Sequence, residues 1–213
     1  MKDNKIKLVK RGYEVAAGKY REEKSMVILD LMIFKQWLSL INKGPILDLG
    51  CGSGYPLASE LFNRNISYLG IDLAKNQIKI AKEQFPLHQE SFKEGEMLQF
   101  CKQSEKNIFE GAIVLFSIFH LPREKHCELL SELRRILKSG APILITVSDQ
   151  EHEDFERNWL GADQMWWSSF SHKWYEQTLE ELQFEEVMKY QEKVLFNKSE
   201  EINWYLLFRV IPS

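Results

Sequence analysis

Cysteine and long apolar runs are both scarce in this chain of 213 residues. Its three cysteines, Cys51, Cys101 and Cys127, stand far apart without a CxxC pair, so the pattern predicts neither a disulfide framework nor a structural zinc site. No stretch approaches the roughly 18–20 apolar residues of a membrane-spanning helix. The charged residues 1–7 precede no apolar run, which argues against a signal peptide. We therefore expect a cytoplasmic protein with no membrane partner.

A strong excess of one charge is lacking as well. The 28 basic and 31 acidic residues leave a formal net charge of −3, so we expect no nucleic-acid partner. In contrast, 44% of the residues are hydrophobic and 12% are aromatic, which excludes an intrinsically disordered chain. A chain of this length can form one good core, and we expect a single domain over residues 1–213.

Apolar segments of strand length alternate with segments of helical spacing through the middle of the chain. The predicted strands are 45–49, 67–73, 91–93, 111–116 and 141–147, and the predicted helices between them are 55–64, 75–85, 97–102 and 123–138. The connections between them are short. Such an alternation predicts a doubly wound α/β sheet.

The two ends of the chain depart from this alternation. Residues 1–42 are predicted to be helical, with a lead-in over 1–25 and a helix over 26–41, and to form a lid. Residues 149–172 are acidic and then rich in tryptophan, and we expect them to form a cap or insertion. Two further predicted strands, 186–194 and 202–210, have no helix between them, so they should pair antiparallel. The predicted fold is a Rossmann-like sheet of about seven strands, mostly parallel with an antiparallel C-terminal strand, and with helices on both faces.

A glycine-rich loop follows the first predicted strand. Residues 46–54 are ILDLGCGSG, and three glycines within five residues remove side chains where a ligand must approach the backbone. The carboxyl end of a strand in an open α/β sheet is where ligands bind. The spacing is GxGxG instead of the dinucleotide fingerprint GxGxxG, since Tyr55 and Pro56 follow Gly54. The carboxylate of Asp48 would repel a pyrophosphate but suits a ligand that carries an ammonium and a sulfonium.

These residues and three later segments resemble the motifs of class I S-adenosylmethionine-dependent methyltransferases of the small-molecule type. Residues 46–54 are similar to the family's first motif, and GIDL at 70–73 resembles the position whose carboxylate accepts hydrogen bonds from the ribose hydroxyls. FKEGEM at 92–97 resembles the segment whose acidic residue reaches the adenine amino group, although Glu96 stands where aspartate is more usual. FSIFHL at 116–121 resembles the end of the fourth strand on the methyl-donor side.

Two further segments extend the resemblance. LRRILKSGA at 133–141 resembles the family's LRR.LKPGG segment, with serine and alanine replacing the proline and the second glycine. YEVAAGKY at 13–20 resembles a lead-in, YDxxAxxY, in which the N-terminal helix folds over the cofactor. By this resemblance Tyr20 covers the cofactor or belongs to the lid. The alternative is that Tyr13 and Tyr20 only anchor the lead-in to the core.

The resemblance implies S-adenosyl-L-methionine as the cofactor and S-adenosyl-L-homocysteine as the product. It also implies a set of cofactor-binding residues: Tyr20, Asp48, Gly50, Cys51, Gly52, Gly54, Asp72, Leu73, Glu96, Met97 and Phe116. Within this set, Cys51 is expected to be a small filler and not a nucleophile. No metal is expected, because His152 and the acidic residues beside it have no known ligand spacing.

His120 is the candidate catalytic residue. It follows the fourth predicted strand, where the family lines its active site, and a histidine can act as a general base near neutral pH. The alternative is that His120 caps the turn before Pro122 or donates to a backbone carbonyl. The tryptophan-rich residues 159–170 likewise have two interpretations, as a wall of the substrate pocket or as core packing.

The motifs that this chain lacks exclude several classes of molecule as the acceptor of the methyl group. Residues 116–119 are FSIF, which differs from the proline-containing motif of amino-modifying DNA methyltransferases and has no aspartate for a catechol-type metal site. Neither Cys101 nor Cys127 follows a proline, as the nucleophile of a C5-cytosine enzyme does. We therefore expect a small-molecule acceptor. The alternatives are a non-catalytic S-adenosylmethionine-binding protein of the same fold and an NAD-dependent oxidoreductase.

Overall fold

A computed structural model describes residues 2–23, 26–29, 31–196 and 199–212 of the chain. Seven α-helices lie in this part of the chain: α1 Lys2–Glu23, α2 Met32–Ser39, α3 Leu57–Asn63, α4 Lys75–Gln84, α5 Met97–Gln103, α6 His126–Ile136 and α7 His172–Glu181. The strands of the same part number nine: β1 Ile46–Leu49, β2 Tyr68–Asp72, β3 Phe92–Glu94, β4 Gly111–Val114, β5 Pro142–Ser148, β6 His152–Trp159, β7 Ala162–Ser169, β8 Phe184–Phe196 and β9 Ser199–Val210.

Seven of the strands form one sheet in the order β3-β2-β1-β4-β5-β9-β8. Strands β1 to β5 are parallel to their neighbours among themselves, and β9 is antiparallel to both β5 and β8. The chain therefore ends in the antiparallel pair that the missing helix between the last two strands predicts. The predicted fold class, a mostly parallel Rossmann-like sheet of about seven strands, is confirmed.

The sheet is covered by helices on both faces. Strands β1 and β4 are buried at every residue, as expected for parallel strands between two layers of helices. On one face the core includes side chains from α5, α6 and α7, and on the other it includes side chains from α2, α3 and α4. This arrangement leaves the carboxyl ends of the parallel strands open to a ligand.

The N-terminal region is divided differently from the sequence prediction. The lead-in is one long helix, α1, whereas the single helix predicted over 26–41 is a short 3-10 helix, Met26–Leu29, followed by α2. Two β-branched residues in the MVIL run lower its preference for an α-helix. Helix α2 buries Ile33, Phe34 and Trp37 against the sheet. It therefore packs against the sheet, whereas α1 contacts α4 and the cap.

The cap between β5 and α7 is a β-hairpin. Strands β6 and β7 pair antiparallel across Leu160 and Gly161, and both of these residues have positive φ, as a tight two-residue hairpin turn requires. Trp159 and Trp166 are fully buried in a third core cluster with residues of α1. These two indoles pack the hairpin against α1, which is the core-packing interpretation of the tryptophan-rich segment.

Candidate functional site

A cleft with an empty volume of about 680 Å³, part of it open to solvent, lies at the carboxyl ends of the parallel strands. Its floor includes residues that directly follow β1, β2, β3 and β4, and its roof is α1, through Ile6, Val9 and Tyr13. Ligands of open α/β sheets bind at this edge of the sheet. The fold therefore places a cleft where the sequence predicted a ligand site.

The glycine turn after β1 is shaped by two close approaches. Gly50 has φ +80°, and a Cβ atom there would lie 2.3 Å from Cβ of Ser117, so no larger residue fits. Gly52 has φ +55°, and a Cβ there would meet only Oε1 of Gln77, at 3.9 Å. Position 52 therefore opens into the cleft, and a ligand can approach the backbone closely there.

Asp72 ends β2 and faces the same turn. Its carboxylate accepts hydrogen bonds from the backbone N–H groups of Gly52 and Ala74, both at 2.8 Å. Burial raises the pKa of Asp72 to about 6, and these two hydrogen bonds oppose that rise. Each carboxylate oxygen has a second lone pair for a ligand. Asp72 can therefore accept hydrogen bonds from a ligand while it holds the glycine turn in place.

Other predicted cofactor-binding residues also border the cleft. Gly50, Gly52, Leu73, Met97 and Phe116 line it together with Asp72 and Glu96. The Glu96 carboxylate accepts hydrogen bonds from the backbone N–H groups that start α5, both at 2.9 Å. Glu96 thus caps a helix and faces the cleft at once, and its bond to an adenine amino group stays a prediction.

Three predicted residues of the loop do not line the cleft. Asp48 is 2% exposed and accepts a hydrogen bond from the Tyr68 hydroxyl at 2.8 Å, and burial raises its pKa to about 7. Burial also raises the pKa of the Cys51 thiol well above its usual range. A Cβ atom on Gly54 would lie 2.6 Å from Cε1 of Phe92. These residues shape the turn from behind, and direct contact between them and a cofactor stays a prediction.

His120 lies at the end of the cleft, in a chain of hydrogen bonds. Its Nε2 is 2.7 Å from the Tyr13 hydroxyl, and its Nδ1 is 3.2 Å from the carbonyl oxygen of Trp166. A carbonyl can only accept, so Nδ1 carries the hydrogen and Nε2 of the neutral ring accepts from Tyr13. His120 therefore does donate to a backbone carbonyl, as the structural alternative expected, and it lines the cleft as the catalytic prediction requires.

The lid predicted over residues 1–42 has a different outcome for α1, for α2 and for Tyr20. Helix α1 borders the cleft, and α2 does not. Tyr20 belongs to α1, but its side chain lies outside the part of the chain that the structure describes. Sequence reasoning gave no cleft role to Ile6, Val9 or Gln77, which carry no motif signal. Tyr13 belongs to the YEVAAGKY segment, but the sequence prediction assigned a cofactor or lid role to Tyr20 instead.

Neither a metal site nor a membrane span is found in the described ranges. They contain no group of three or more His, Cys, Asp or Glu residues that could hold a metal ion. Within the same ranges, no helix is both long and apolar enough to cross a membrane. The cytoplasmic location stays a prediction.

The residues of the cleft suit S-adenosylmethionine. Gly52 leaves room at the backbone, and Asp72 has free lone pairs for two hydroxyl groups of a ribose. The apolar side chains of Leu73 and Met97 line the same region as Glu96, where a purine ring would pack. The fold and this site together define the class: a Rossmann-like domain of the methyltransferase type.

Comparisons with known proteins agree with this class. Residues 46–140 match the family model described as a methyltransferase domain. The alignment with an O-methyltransferase of Pyrenophora dematioidea has 29% identity over 104 residues, which is 47% of this chain and 38% of that protein. The chain thus spans well under half the length of that curated relative. Over residues 46–140 the chain is thus similar to methyltransferase domains, in agreement with the predicted resemblance to class I S-adenosylmethionine-dependent methyltransferases.

Solved structures share the fold over most of the chain. An S-adenosylmethionine-dependent methyltransferase of Methanosarcina mazei has a TM-score of 0.72 at 19% identity, over 86% of this chain and 99% of that one. The 1,6-didemethyltoxoflavin-N1-methyltransferase of Burkholderia thailandensis, with its substrate and S-adenosylhomocysteine bound, has a TM-score of 0.67 at 14% identity, over 99% and 91%. At these identities the likeness establishes the fold alone.

Proposed function

We propose that the protein is a methyltransferase that uses S-adenosylmethionine to methylate a small-molecule acceptor. One observation carries the proposal: Asp72 joins the glycine turn to the start of α4 at the floor of the cleft. The matched methyltransferase domain over residues 46–140 supports it. So does the Burkholderia thailandensis enzyme, a similar fold that is described with a small molecule and S-adenosylhomocysteine bound.

The binding roles are assigned to the residues on the floor of the cleft. Asp72 holds the ribose hydroxyls, Glu96 and Met97 hold the adenine, and the backbone at Gly52 faces the rest of the cofactor. S-adenosylmethionine supplies, when bound, a methyl group already activated on a sulfonium. The protein's main task is then to align the acceptor and exclude water. Helix α1, as the roof of the cleft, serves both purposes.

The charge of the lining restricts the acceptor. The described residues that line the cleft include the acidic Asp72 and Glu96 but neither lysine nor arginine. Most of the other lining side chains are apolar, among them Val9, Phe116 and Leu121. An anionic acceptor would find no cation to pair with there, and a buried unpaired charge is costly. The proposed acceptor is therefore a small apolar molecule without a phosphate or carboxylate group.

His120 is proposed as the proton acceptor, and it acts through Tyr13. The Nε2 atom already accepts a hydrogen bond from the Tyr13 hydroxyl. The molecule to be methylated can therefore pass its proton to the Tyr13 oxygen while the Tyr13 hydrogen moves to Nε2. The imidazolium that results keeps its Nδ1–H bond to the Trp166 carbonyl. A proton is thus removed from a hydroxyl or amine acceptor without a metal ligand set.

A methyl-transfer screen tests the proposal. The purified protein is incubated with S-adenosylmethionine carrying a labelled methyl group and with a panel of neutral hydroxyl and amine compounds. We expect labelled product from at least one neutral compound and none from its phosphorylated or carboxylated analogue. Binding of S-adenosylhomocysteine without transfer to any compound would support the non-catalytic alternative. Transfer only to anionic acceptors would contradict the assigned acceptor class.

A further inference from the structure

Glu14 joins α1 to the turn that follows Asp72. Its carboxylate oxygens Oε1 and Oε2 accept hydrogen bonds from the backbone N–H groups of Lys75 and Asn76, at 2.7 and 3.2 Å. The side-chain amide of Asn76 donates in return to the carbonyl oxygen of Glu14, at 3.1 Å. The N-cap residue of α4, Ala74, makes no side-chain capping bond. A distant residue of α1 therefore caps the first turn of α4.

Two carboxylates thus share three consecutive amide groups at the edge of the cleft. Asp72 accepts from Ala74, and Glu14 accepts from the next two residues. Leu73, on the same turn, lines the cleft. The roof side chains of α1 precede Glu14 in the same helix. Helix α1 therefore cannot move away from the cleft without removing the hydrogen-bond partners of the amides beside Asp72.

We propose that Glu14 is a positioning residue that couples the turn at Asp72 to the position of α1 over the cleft. This inference rests on the proposed function, because it takes Asp72 as a cofactor-binding residue. While Glu14 caps α4, Ile6, Val9 and Tyr13 stay over the bound ligand. The hairpin still holds α1 when the Glu14 carboxylate is lost, but the link from α1 to α4 is gone and two helix-starting amides lose this partner. Opening of the roof then becomes easier, and a ligand leaves the cleft sooner.

Glu14 also acts on Asp72 through its charge. The negative charge of Glu14 adds to the burial that raises the pKa of Asp72, whereas the N–H groups of Gly52 and Ala74 lower it. Asp48 from β1 and Cys51 from the glycine turn are the other titratable groups that interact with Asp72. A neutral residue at position 14 leaves these groups in place. It should therefore lower the pKa of Asp72, which reports that Glu14 lies near Asp72, whereas the ligand release rate reports the hold of Glu14 on α1.

Stopped-flow dissociation of S-adenosylhomocysteine tests this coupling. With Glu14→Ala we expect release at least about tenfold faster than with the wild type, because hydrogen bonds to a charged group are lost. Glu14→Gln keeps an oxygen that can accept one of these bonds, so its release rate should be intermediate. In both variants the pH midpoint of S-adenosylhomocysteine affinity should shift to lower pH.

Asp163→Ala is the matched control. It removes the exposed 3.9 Å contact between Arg11 of α1 and the hairpin, and it should leave the release rate and the pH midpoint at wild-type values. Circular dichroism establishes that each variant is folded, and Glu14→Gln serves if Glu14→Ala is not. Wild-type release rates in a folded Glu14 variant would overturn the inference, whether or not the midpoint moves. If the wild type itself binds no S-adenosylhomocysteine, the proposed function fails instead.

Discussion

At the scale of single residues, the assignment of the cofactor site depends most on Asp72. Its side chain closes the glycine turn through Gly52, starts α4 through Ala74 and faces the cleft. Burial would favour the neutral acid, and the two N–H donors favour the carboxylate. With its pKa raised to about 6, the group changes its charge within the ordinary working range of pH.

This position makes the affinity for S-adenosylhomocysteine depend on pH. The carboxylate accepts hydroxyl hydrogen bonds better than the protonated acid does, so affinity should rise as pH increases through about 6. Asp72→Asn cannot ionise, and we expect it to bind about 10- to 100-fold more weakly at pH 8 with a flatter pH profile. Calorimetric titrations between pH 5 and pH 8 measure both effects.

Glu105→Gln is the control for that series, because Glu105 is exposed and does not line the cleft. It should keep the wild-type affinity and its pH dependence. An Asp72→Asn variant that is folded and binds as tightly as the wild type at pH 8 would remove Asp72 from the cofactor site.

The pair formed by Tyr13 and His120 gives the second prediction at this scale. His120→Gln and Tyr13→Phe should each lower kcat about 100-fold or more with the identified acceptor, as expected for loss of a general base. The affinity for S-adenosylhomocysteine should change much less, because neither residue is assigned to the cofactor. Steady-state kinetics and calorimetry separate the two quantities. Undiminished transfer in His120→Gln would make the histidine structural.

At the scale of elements, the hairpin of β6 and β7 holds the roof of the cleft. Trp166 is fully buried between this hairpin and α1, and its carbonyl oxygen accepts the His120 hydrogen bond. Its cross-strand partner Phe155 is 45% exposed on the other strand. The hairpin thus has one aromatic side chain, Trp166, that is buried against α1 and another, Phe155, that is partly exposed.

Trp166→Ala should therefore lower the free energy of unfolding by about 3–5 kcal/mol, the usual cost of removing a large buried aromatic side chain. Phe155→Ala should change it by less than about 1 kcal/mol, because the side chain is only half covered. Urea unfolding near neutral pH measures the free energy of unfolding of both variants. Equal losses in the two variants would contradict the assigned packing of α1 on the hairpin.

A buried histidine joins α6 to α7. Nε2 of His126 donates to the Leu121 carbonyl oxygen and Nδ1 accepts from the Tyr175 hydroxyl, each at 2.8 Å. Burial lowers the pKa of His126 to about 4. Above about pH 6.5 both folded and unfolded chains hold this group neutral. As pH falls further, the unfolded chain takes up the proton first, so acid destabilises the fold.

The contribution of His126 to this acid loss should reach roughly 3 kcal/mol by about pH 4. His126→Gln should be less stable than the wild type at neutral pH, with a smaller further loss between pH 6.5 and pH 4. His152→Gln, at an exposed position, should keep the wild-type slope. Denaturant unfolding across this pH range measures the slopes. Parallel slopes in wild type and His126→Gln would show that another group causes the acid loss.

The elements also show which parts of the structure were predictable. Strand β4 was recognisable from a continuous apolar run and β1 from a run that only Asp48 interrupts, because parallel strands are buried on both faces. The hairpin was missed because β6 is exposed at most of its positions and carries no strict alternation. Only the tryptophans of the segment indicated burial, and their partners lie on α1, far away in the sequence.

At the scale of the whole molecule, the order of the elements was predictable and the contacts between distant segments were not. The strand–helix alternation and the final antiparallel pair predicted the fold class, and the motifs that follow the strands gave the resemblance to methyltransferases. Folding brings together the residues of two contacts: Asp48 with Tyr68 behind the glycine turn, and Glu14 with the start of α4. A sequence pattern locates such side chains near a site but does not tell which of them faces the ligand.

Calorimetric titration of the wild-type protein with S-adenosylhomocysteine and, separately, with NADH shows which of the two ligands the cleft binds. We expect one S-adenosylhomocysteine site per chain and no heat of binding from NADH. Binding of NADH without binding of S-adenosylhomocysteine would contradict the assignment of the cleft. Absence of binding by both ligands to the folded protein would contradict it as well.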